Sequence, residues 1–224
     1  GFTVIALEYR LLGEAPWPAP LEDVRAAVRW ARAHATELGV EPERIVLQGH
    51  SAGAHLSLLT AYTADESTRV AAVAAFYPPV GFYAGPAPAP DPETGRPARP
   101  PRRDDGRAPG WMLVADSEDE ELVRSVSPID RISATCPPTM IVQGTADTMV
   151  AYRSSVAFHQ ALLDAGVAAD LHLHHGVGHE FDASPAMAEA VQDAAAAFYR
   201  RTVSQSAAIA EELEKHSFGR RRTA

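Results

Sequence analysis

The run Gly49-His50-Ser51-Ala52-Gly53 places a hydroxyl between two glycines at the spacing G-x-S-x-G. A serine hydroxyl is a weak nucleophile until a neighbouring base takes its proton, and that base needs an acid to orient it. Two later segments can supply both. Gly144-Thr145-Ala146-Asp147 sets a carboxylate after one apolar run, and Gly176-Val177-Gly178-His179-Glu180-Phe181 sets an imidazole after the next. Their chain order is serine, acid, histidine, the order used where the serine sits on a strand-to-helix turn. The chemistry on offer is acyl transfer through a covalent serine intermediate.

Other residues compete for these roles. Asp182 lies three positions after His179 and rivals Asp147 as the orienting acid, but it follows the base where Asp147 precedes it. His50 and His55 flank the serine; His50 is expected to line the substrate pocket or pack beside the turn. His172 and His174 alternate along an apolar run and share a face, with His175 pointing away. With no accompanying cysteines or well-spaced acids they read as a polar strand face, and no metal or other cofactor is expected. Cys136 precedes Pro137-Pro138 with no histidine nearby and is read as inert.

These side chains need elements to carry them. Phe2 to Tyr9 has the β-branched and aromatic content of a buried strand. Pro20-Leu21-Glu22-Asp23-Val24 opens a helix whose apolar positions recur at helical spacing until Gly39. Arg44 to Gln48 reads as a strand, Ala52 to Thr63 as a helix, and Val70 to Tyr77 as a buried strand closed by Pro78-Pro79. The segment from Pro78 to Pro109 holds ten of the 18 prolines and loses all apolar periodicity, so an irregular excursion is expected. The acidic run Asp116 to Glu121 reads as a solvated helix start. Beyond it come a strand at Met140 to Val142, a helix over Ser154 to Gly166, a strand over Val167 to His174, and an alanine-rich helix from Pro185 to about Arg201. Strand–helix alternation predicts an α/β fold with a mainly parallel sheet. It divides into a domain over 1–203, a cap-like insertion over 78–121 and a tail over 204–224 that extends as a helix and frays.

Composition narrows the partners. The 224 residues suffice for one core, and 29 acidic against 20 basic side chains give a formal net charge of −9, which argues against nucleic acid or an acidic membrane surface. A single cysteine excludes an intramolecular disulfide. No apolar run is long enough to suggest a membrane span. The opening lacks the basic and small-residue features of a signal peptide, so a cytoplasmic location is expected. The oligomeric state is not legible.

The chain as a whole resembles the α/β-hydrolase superfamily, in the microbial esterase branch with hormone-sensitive-lipase-like and feruloyl-esterase-like enzymes. The resemblance rests on Glu8-Tyr9-Arg10-Leu11, Trp17-Pro18-Ala19 with Asp23, Gly49 to Gly53, Gly144 to Asp147 and Gly178-His179. It implies Ser51 as nucleophile, His179 as general base and then acid, Asp147 as the residue holding the imidazole tautomer, and a small-molecule ester as substrate. In that family a His-Gly-Gly segment supplies further oxyanion donors, and a third strand lies between those matching Phe2 to Tyr9 and Arg44 to Gln48. Neither is found here, which leaves the amide of Ala52 as the expected oxyanion donor. One lost donor costs roughly 3–4 kcal/mol, about a hundred- to a thousand-fold in rate. The chain is therefore expected to be an N-terminally truncated form of an active esterase. Two alternatives stand beside it: a prolyl-oligopeptidase-like peptidase or arylformamidase on the same fold, and a non-catalytic remnant of a hydrolase.

Overall fold

A computed structural model describes residues 1–88 and 105–216. Four parallel strands form the main sheet: β1 (Val46–His50), β2 (Ala72–Phe76), β5 (Thr139–Gly144) and β6 (Ala169–His174), side by side in that order. A two-residue parallel pair, β3 (Phe82–Tyr83) and β4 (Ala108–Pro109), stands apart from it. The helices are α1 (Ala19–Ala33), α2 (Ala35–Leu38), α3 (Ala52–Tyr62), α4 (Glu120–Ser125), α5 (Tyr152–Asp164), α6 (Pro185–Tyr199) and α7 (Ser206–His216).

Side chains of β2 alternate between two cores, as the strand period requires. Val73 and Ala75 face Leu56, Leu59, Phe158 and Leu162 with Val24 and Val28 of α1, whereas Ala72, Ala74 and Phe76 face Val191, Ala195 and Phe198 of α6. Each buried Leu, Val or Phe contributes roughly 1.5–3 kcal/mol over its exposed state. Helix α3 is buried from Ala54 to Ala61 on every side, because the sheet covers one face and α1 another. Gly39, at φ +66°, ends α2 in the left-handed conformation that a glycine adopts without a Cβ penalty.

The expected strand at Phe2 to Tyr9 does not form. Residues 1–10 have no regular structure, and Phe2 and Val4 are 49% and 85% exposed. A strand needs a neighbour for its amides and carbonyls, and the outer side of β1 is separated from this segment by a cavity of about 330 Å³. Phe2, Ile5 and Leu7 line it on one side, Val46 and Leu47 on the other. The segment is held instead by Arg10, whose guanidinium pairs with Asp23 of α1 at 2.7 Å, and by Tyr9, packed against the α1–α3 core.

The described residues of the insertion, with the helix after it, carry more order than the composition suggests. Phe82, Val114, Val123 and Val126 build a small core of their own, with Trp17 packed against it. Arg107 ties β4 to the body of the chain, donating to both carboxylate oxygens of Asp130 and to the Phe82 carbonyl. The acidic run starts a helix as expected: Asp119 caps α4, its carboxylate accepting from the amides of Glu121 and Leu122. The arginines Arg96, Arg99, Arg102 and Arg103, and the end of the tail, lie outside the described residues.

Candidate active site

Ser51, Asp147 and His179 all sit just beyond the carboxyl ends of main-sheet strands. Ser51 follows β1 directly and precedes α3, with φ +49° and ψ −116°, a conformation that non-glycine residues rarely adopt. The turn is held by the Ser51 amide, which donates to the Phe76 carbonyl at 2.9 Å, and by the His55 amide, which donates to the Ser51 carbonyl. Gly49 makes the turn possible. A Cβ there would lie 2.3 Å from the Gly53 carbonyl oxygen. Ala52 is the first residue of α3, so its N–H belongs to the first turn, whose amides have no partner inside a helix.

Asp147 lies in the loop after β5 and His179 in the loop after β6. His179 Nδ1 is 2.7 Å from Asp147 Oδ2, and its Nε2 is 2.9 Å from Ser51 Oγ. The Asp147 and His179 side chains are 0% and 8% exposed. The carboxylate is fixed from all sides: Oδ1 accepts from the amides of Met149 and Val150, and Oδ2 also accepts from the side-chain amide of Gln143 at 2.9 Å. Gln143 is itself oriented by Ser155, whose hydroxyl donates to its Oε1. The two loops meet closely because residue 144 is glycine, where a Cβ would fall 2.4 Å from the Val177 carbonyl oxygen. A hydroxyl, an imidazole and a carboxylate joined in this order can move a proton away from the hydroxyl and stabilise the charge left on the ring.

The rivals fall elsewhere. Asp182 does not reach His179 Nδ1; it pairs with His50 Nε2 at 2.9 Å and accepts from the Tyr77 hydroxyl at 2.8 Å. His50 lies at the end of β1 with a partly exposed side chain, its ring 4.5 Å from that of Phe76. His55 is buried beneath the insertion, its Nε2 2.7 Å from the Val126 carbonyl oxygen and its ring edge-on to Phe82. Desolvation lowers its pKa from 6.5 to about 4. His172 and His174 stay on β6, where burial and the neighbouring His172 lower the pKa of His174. Gln143 and Tyr77 were not singled out in the sequence. For Gln143 there was a signal, an amide side chain ending the apolar run Met140-Ile141-Val142.

The BD-FAE family model matches residues 1–162. The chain is 30% identical over 220 residues to the esterase LipQ of Mycobacterium tuberculosis, covering 90% of this chain and 49% of LipQ. It is 31% identical over 204 residues to the carboxylesterase/phospholipase LipF of the same organism, covering 84% of this chain and 50% of LipF. It thus spans about half the length of these relatives. Among solved structures, esterase 2 of Thermogutta terrifontis with butyrate bound superposes with a TM-score of 0.58 at 30% identity, over 78% of this chain and 61% of that one. The same esterase has also been solved phosphonylated by cyclosarin.

Proposed function

The chain belongs to the BD-FAE family of α/β-hydrolases, and from that premise we propose that it is the core of a serine carboxylesterase. The observation that carries this reading is the hydrogen-bonded series from Ser51 through His179 to Asp147. Ser51 Oγ attacks the acyl carbonyl of an ester while His179 Nε2 takes its proton. The negative charge on the former carbonyl oxygen is met by the Ala52 amide at the N-terminus of α3. His179 then hands the proton to the departing alcohol, leaving an acyl-serine. Water repeats the sequence, losing a proton to His179 and releasing the acid. The butyrate-bound relative favours short acyl chains as the first substrates to try.

The test uses p-nitrophenyl butyrate together with a fluorophosphonate probe, a choice suggested by the phosphonylated relative. Both are applied to this chain and to a version extended upstream through the family's His-Gly-Gly segment. The expected result is probe attachment at Ser51 and ester turnover faster in the extended version, both abolished by Ser51→Ala. Labelling that survives Ser51→Ala would overturn the assignment. An extended chain that neither labels nor turns over ester would leave the scaffold as a binding module.

A further inference from the structure

Asp182 is a second, largely enclosed carboxylate beside the site, and the chemistry proposed above gives it no task. Its side chain is 10% exposed, and each oxygen has a distinct partner: Oδ1 accepts from Tyr77 Oη at 2.8 Å, and Oδ2 is 2.9 Å from His50 Nε2. These partners belong to opposite halves of the machinery. His50 immediately precedes the nucleophile on β1. Tyr77 immediately follows β2, and its ring meets the His179 imidazole edge-on, with centroids 4.6 Å apart. Asp182 itself stands in the short turn Phe181–Ala183, directly beyond His179.

Tyr77 is also strained. Its φ is +41°, which a residue with a side chain adopts only at a cost of order 1–3 kcal/mol and only when its surroundings hold it there. Two contacts do so: its amide donates to the Val142 carbonyl at 2.6 Å, and its hydroxyl donates to Asp182. Burial first, and then the bond to Asp182, pushes the phenol upward, so Tyr77 remains a donor across the working range.

From this geometry we infer that Asp182 is a positioning residue that clamps Tyr77 and His50 around the Ser51–His179 pair, making the Tyr77 ring the backstop that keeps the imidazole aimed at Ser51 Oγ. The inference rests on the serine-esterase reading and assigns Asp182 no contact with substrate. Without the carboxylate, the strained Tyr77 relaxes, the imidazole loses its wall, and the loop after β6 loses its tie to the end of β2. A misplacement near 1 Å in such a site costs about a hundredfold.

The experiment compares Asp182→Ala, Asp182→Asn, Tyr77→Phe and the Asp182→Ala/Tyr77→Phe double variant, in whichever version of the chain turns over p-nitrophenyl butyrate. Asp182→Ala should lower kcat about 10- to 100-fold while KM stays within about twofold. Asp182→Asn should recover most of that loss, because its amide oxygen still accepts from Tyr77. Tyr77→Phe should mimic Asp182→Ala, and the double variant should be no worse than either alone. A second readout does not depend on turnover. The His179 ring protons, shifted in the NMR spectrum by the adjacent Tyr77 ring, should move in Asp182→Ala and not in Asp182→Asn. Unchanged kcat and ring shifts in a folded Asp182→Ala variant, or additive losses in the double variant, would overturn the inference. Turnover that survives Ser51→Ala would instead sink the esterase reading, with the ring shifts still deciding the role of Asp182.

Discussion

Asp147 receives four contacts on two oxygens: the His179 ring, the Gln143 amide, and the backbone amides of Met149 and Val150. On the serine-esterase reading, the charge held by these contacts is what fixes the imidazole tautomer. Asp147→Asn is expected to lower kcat about ten-thousand-fold, as in other triads where the wrong imidazole tautomer is then favoured. Steady-state kinetics on the folded variant checks this. His55 makes a prediction of a different kind. Unfolded, it titrates near 6.5; folded, desolvation lowers it to about 4. Below 6.5 the unfolded chain binds a proton that the folded chain refuses, so its contribution is fully present above that pH and is lost as pH falls toward 4, by about 3 kcal/mol. Urea midpoints measured from pH 7.5 to 4.5 should fall more steeply for the native chain than for His55→Gln. Ser51, Asp147 and His179 were legible because each stands at the end of an apolar strand run in a fixed order. The pairing of Tyr77 with Asp182 was not, since it joins residues 105 positions apart. No local pattern encodes that proximity.

At the scale of elements, two glycines beside the site differ in what they do. Gly144 lets the loop carrying Asp147 pass within contact of the loop carrying His179, whereas a Cβ at Gly178 would meet nothing within 4 Å. Gly144→Ala should push the two loops apart and abolish fluorophosphonate labelling at Ser51. Gly178→Ala, next to His179 in sequence, should label at close to the native rate. Equal effects would show that the loop crossing is not what aligns the pair. The insertion is a cap in our reading, because its small core rests on α3 through the contact of Phe82 with His55, one turn beyond Ser51. Arg107→Ala removes its bond to Asp130 and should alter the relative kcat/KM across a short-to-long ester series without reducing labelling at Ser51. Most helices and strands were readable from periodicity and caps. The small core around Phe82 was not, because four residues spread from Phe82 to Val126 have no period.

At the scale of the whole molecule, the failed expectation at Phe2 to Tyr9 and the cavity beside β1 are one fact seen from two sides. Apolar, β-branched residues describe what a strand is made of; they do not report whether a neighbour exists to pair with it. The consequence is that the strand leading to Ser51 is the margin of the sheet, with β2 on one side and, among the described residues, no strand on the other. The Ser51 amide turns inward to Phe76, so by the two-residue period the amides of Val46, Gln48 and His50 turn outward. In deuterated water those three should exchange orders of magnitude faster than the amides of Ile141 and Val142 in the sheet's interior, a contrast that mass spectrometry of peptides or NMR can measure. Slow exchange at Gln48 and His50 would mean that another strand covers this edge in solution. With the edge open, Ser51, the nucleophile in our proposal, rides on the part of the sheet that frays first, so heat or denaturant should silence ester turnover while the core around β5 is still intact.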